Sequence, residues 1–88
     1  MLLKFYISET PLIEFDLDHK TRKANIVNFT DTRAIAPIFS KRQLSYDGLE
    51  QRLQEMTDTK KSLEELTADI AEHGLCCPFH INLKAKVD

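Results

Sequence analysis

The 88 residues carry 12 Lys+Arg against 14 Asp+Glu, a formal net charge of −2, with 42% hydrophobic and 30% charged residues. This is the composition of one small folding domain with a modest core, and it leaves little room for a deep substrate cleft. No apolar run approaches the roughly 20 residues that span a bilayer, and the short run Met1–Ile7 meets Glu9 rather than extending into a signal sequence. Two cysteines, adjacent in sequence, do not make a disulfide scaffold, so a cytoplasmic setting is expected.

Charge and hydrophobic period change together along the chain. Residues 1–42 hold seven basic and five acidic side chains, whereas residues 43–88 hold five and nine. The first part reads in twos and much of the second in threes and fours. Leu2–Ile7 reads as a strand, stopped by a turn over Ser8-Glu9-Thr10-Pro11. Ile13, Phe15 and Leu17 then alternate with Glu14, Asp16 and Asp18, as expected of a strand with one buried face. A polar connection, His19–Lys23, leads to a third strand over Ala24–Phe29. Ile35–Phe39 is a further edge segment, weakened by Pro37, which cannot donate to a ladder.

Two helices follow. Ser45 is placed to cap the first, on which Leu49, Leu53 and Met56 share a face. Thr57–Lys61 connects it to Ser62-Leu63-Glu64-Glu65, a capping-box pattern in which Glu65 reaches back for an orphan N–H. Leu63, Leu66 and Ile70 form the second apolar stripe, and Gly74 supplies a stop. The chain closes on ten alternating residues, Phe79–Asp88, which must pair either with the N-terminal sheet or with a partner's sheet. The expected fold is α+β: a small antiparallel sheet, made of an N-terminal meander plus a C-terminal strand, with two helices packed on one face.

Candidate chemistry is sparse. His73, Cys76, Cys77 and His80 are of metal-ligand type, but eight continuous residues close a tetrahedron poorly, and no metal is expected. Glu14, Asp16 and Asp18 fall on one strand face about 7 Å apart in succession, more consistent with a solvated face than with a cation or acid–base site. With two glycines there is neither a phosphate-cradling loop nor a dinucleotide turn, and no serine sits in a nucleophile elbow. No catalytic residue and no cofactor are therefore expected.

The order of elements from Ile13 to about Ile81 resembles the small N-terminal subdomain of HipA-type toxin kinases and related stand-alone proteins. It runs through a hairpin, Ile35-Ala36-Pro37-Ile38-Phe39, Leu44–Glu50 opening a helix, Thr59–Leu66, and a stop at Gly74-Leu75. The resemblance implies a non-catalytic piece that packs on a kinase or an antitoxin. The family's ATP and metal residues belong to the larger kinase domain and have no counterpart here.

The expected function is protein binding, as an accessory subunit or an inhibitor of the kind phages and mobile elements encode. The partner would be a kinase or other enzyme, or a second copy of the chain, and not a membrane. Two segments are candidates for the contact. One is the aromatic-basic stretch with Arg33, Ile38, Phe39, Lys41, Arg42 and Tyr46. The other is the terminal strand with Phe79, Ile81 and Leu83, through sheet-edge pairing. The alternative is a small dimeric nucleic-acid binder using Lys20, Arg22, Lys23, Arg33, Lys41 and Arg42 against phosphate.

Overall fold

The computed structural model describes residues 1–7, 9–30, 39, 44–75 and 83–88. Four strands form one antiparallel sheet: β1 (Leu2–Ile7), β2 (Thr10–Asp18), β3 (Lys23–Phe29) and β4 (Leu83–Val87), in the order β3-β2-β1-β4. Helices α1 (Tyr46–Thr57) and α2 (Leu63–His73) cover one face, giving the α+β architecture that the change of period implies.

The β1–β2 turn is tighter than the sequence suggests. Ile7 already pairs with Thr10, so Thr10 and Pro11 belong to β2 rather than to the turn. Glu9 takes the left-handed backbone at φ 72° that so short a connection demands. Pro11 is accommodated at the end of the strand because a bulge follows immediately. Phe5 faces Ile13 while Tyr6 faces Pro11, which leaves Leu12 as the extra residue. The bulge breaks the period-two pattern, and both Leu12 and Ile13 are buried.

Beyond it the alternation holds. Ile13, Phe15 and Leu17 enter the core opposite Phe5, Leu3 and their β3 partners. The β2–β3 turn, His19–Arg22, is built by Asp18, whose Oδ1 accepts from the backbone N–H of Lys20 (3.0 Å) and Thr21 (3.4 Å). Arg22 is left-handed at φ 54° as the chain enters β3.

α1 starts where Ser45 Oγ accepts from the Gly48 N–H (3.2 Å), and it runs one residue into the expected connector before Asp58 ends it at φ 53°. At the start of α2, Ser62 Oγ accepts from the Glu65 N–H (3.3 Å), but the Glu65 carboxylate accepts from the Ser62 hydroxyl (3.2 Å) instead of reaching the backbone. The first N–H of α2, on Leu63, is taken by Glu50 of α1 at 2.8 Å. Gly74 stops α2 at φ 75° and ψ −179°.

β4 returns to the N-terminal sheet. Val87, Ala85 and Leu83 pair with Leu3, Phe5 and Ile7, and the Asp88 N–H donates to the Leu2 carbonyl at 3.0 Å. The expected start of this strand, from Phe79 to Asn82, lies outside the described residues, as do Ile35–Ile38 of the expected edge segment. Phe39 is described, and it sits in the core. The rings of Phe5, Phe15 and Phe39 meet edge to face, with centroids 5.1–6.2 Å apart. Leu49, Leu53 and Met56 of α1 and Leu63, Leu66 and Ile70 of α2 complete the core.

Candidate partner-binding edge

Among the described residues, the apolar side chains expected to make the contact do not form a surface. Phe39 and Leu83 are each 2% exposed and Tyr46 is 5% exposed. Their side chains go inward because each has an apolar socket: Phe39 between Phe5 and Phe15, Leu83 on the helix-covered face opposite Ile7. Arg33, Ile38, Lys41, Arg42, Phe79 and Ile81 lie outside the described residues.

Tyr46 is instead the centre of a clasp. Its hydroxyl is 2.7 Å from His19 Nδ1, and the Arg22 guanidinium lies 4.9 Å over its ring. Arg22 also reaches Asp47 Oδ1 at 2.5 Å and Glu50 Oε1 at 3.4 Å, and these carboxylates hold its guanidinium above its ordinary range. Burial pushes the Tyr46 hydroxyl up as well. The clasp ties the β2–β3 turn to the start of α1. It also removes Arg22 from the basic set nominated for phosphate. Of the described members of that set, Lys20 in the turn and Lys23 just after it remain as exposed side chains.

The acidic row separates into three different tasks. Glu14 lies 3.5 Å from Lys4, which Asp88 also meets at 2.7 Å, so that Asp88 holds the Lys4 ammonium above its usual range. Asp16 is exposed, and Asp18 holds the turn, where the Thr21 hydrogen bonds keep its carboxyl below the usual carboxylate range. Among the described residues no group of three His, Cys, Asp or Glu side chains converges on a cation position. His73 is exposed at the end of α2, 3.7 Å from Glu72, while Cys76, Cys77 and His80 lie outside the described residues.

The most distinctive surface lies on β3, which the sequence marks only as a strand. β3 is an edge strand, and no strand among the described residues pairs with its outer side. Its register puts Ile26 opposite Phe15 and Phe29 opposite Ile13, the core-facing positions of β2. Yet Ile26 is 41% exposed, Phe29 52% and Val27 56%. Two placements explain this. α2 packs against β4 at the opposite edge, and α1 packs against α2. Val27 is the extra residue of a second bulge, since Glu14 faces Asn28 while Phe15 faces Ile26. Beside Phe29 a depression of about 150 Å³ is lined by Lys4, Tyr6, Pro11, Leu12 and Asn28. It is smaller than the roughly 300 Å³ at which small-molecule sites begin, and of a size to take one side chain.

β-branched content and period could have announced a strand at Ala24–Phe29, but not that it would be an edge left outside the helical cover. No family model, curated protein or solved structure matches the chain. Among the described residues no helix is long and apolar enough to cross a membrane.

Proposed function

We propose that this chain is a small non-catalytic protein-binding module, an accessory or inhibitory subunit, that takes an extended segment of its partner onto the outer edge of β3. One observation carries the reading: an edge strand with Ile26, Val27 and Phe29 all more than two-fifths exposed. An unpaired strand edge offers main-chain donors and acceptors for affinity, and side chains beside it supply selectivity. The depression beside Phe29 supports the reading, being of a size to take one side chain. A HipA-type kinase or its antitoxin is the partner class implied by the sequence resemblance.

Affinity purification of the tagged chain from its native host, with quantitative mass spectrometry, tests the reading when run beside Val27→Lys. A stoichiometric protein partner lost on charging the edge is the expected outcome. A partner retained at full stoichiometry by Val27→Lys would remove β3 as the contact. Nucleic acid recovered in place of protein, released by raising the salt, would replace the reading altogether.

A further inference from the structure

We draw no further inference here: the strongest candidate, the apolar patch of Ile26, Val27 and Phe29 on β3 with the depression beside it, belongs to the binding edge already proposed, and nothing among the described residues shows what covers it.

Discussion

Tyr46 shows how a single side chain can be buried and polar without penalty. Its ring sits within the core margin, and its hydroxyl finds His19 Nδ1 at 2.7 Å. Tyr46→Phe should lower the unfolding free energy by about 1 kcal/mol, read as a shift in denaturation midpoint at constant m-value. Asp18 makes a prediction in pH. Its carboxyl is held low by hydrogen bonds in the folded turn, first of all with Thr21. A depressed folded pKa contributes stability that is present above the ordinary carboxylate pKa and is lost as pH falls through the folded one. An acid titration of stability should therefore fall less steeply for Asp18→Ala than for wild type, below the usual carboxylate range. Arg22 belongs to the same clasp, and no local pattern in the sequence connects it with Asp47 and Tyr46, which are distant in the chain.

Among the elements, α2 is the most fully specified by its own residues. Ser62 caps it and Gly74 ends it, as the capping-box pattern and the glycine indicate. Ser62→Ala should cost about 1 kcal/mol. Gly74→Ala should cost about 1 kcal/mol or more through backbone strain alone, since nothing lies within 4 Å of the added methyl. Thermal melts of the two variants check both values. What α2 does not reveal is its dependence on α1: the Leu63 N–H is satisfied by Glu50, a contact between helices rather than within one. The strands divide in the same way. Alternation in Ile13–Leu17 and in Leu83–Val87 is legible because each strand has one buried face. The bulges at Leu12 and Val27 are not, because a bulge is a property of pairing between two strands.

At the scale of the whole molecule, the three phenylalanines join the parts. Phe5 comes from β1, Phe15 from β2, and Phe39 from a position well past the sheet hairpins, all in mutual edge-to-face contact. Phe39→Ala should remove about 3–5 kcal/mol, a large share of the stability expected for a domain of this size. Denaturant unfolding followed by circular dichroism measures it. Phe39 lies in an aromatic-basic segment, a composition that often marks surfaces. Composition alone does not tell a ring that reaches a partner from one that reaches the core. The same limit hid the exposed edge, since Ile26, Val27 and Phe29 have the composition of buried strand, and only the sheet order leaves them outside.

The sheet order also sets a sequence of events during synthesis. β1 is made before β2 and β3, yet one of its two neighbours, β4, emerges only after both helices. Until Leu83–Val87 leaves the ribosome, β1 has an open side, and the positions beside Leu3 and Phe5 that Val87 and Ala85 will take are empty. The β1–β2–β3 meander can form early from local contacts, but the core can close only through the longest-range pairing in the chain. A nascent chain stalled before residue 83 should therefore expose β1 as well as β3, and chaperones that recognise apolar strand would find it in that interval.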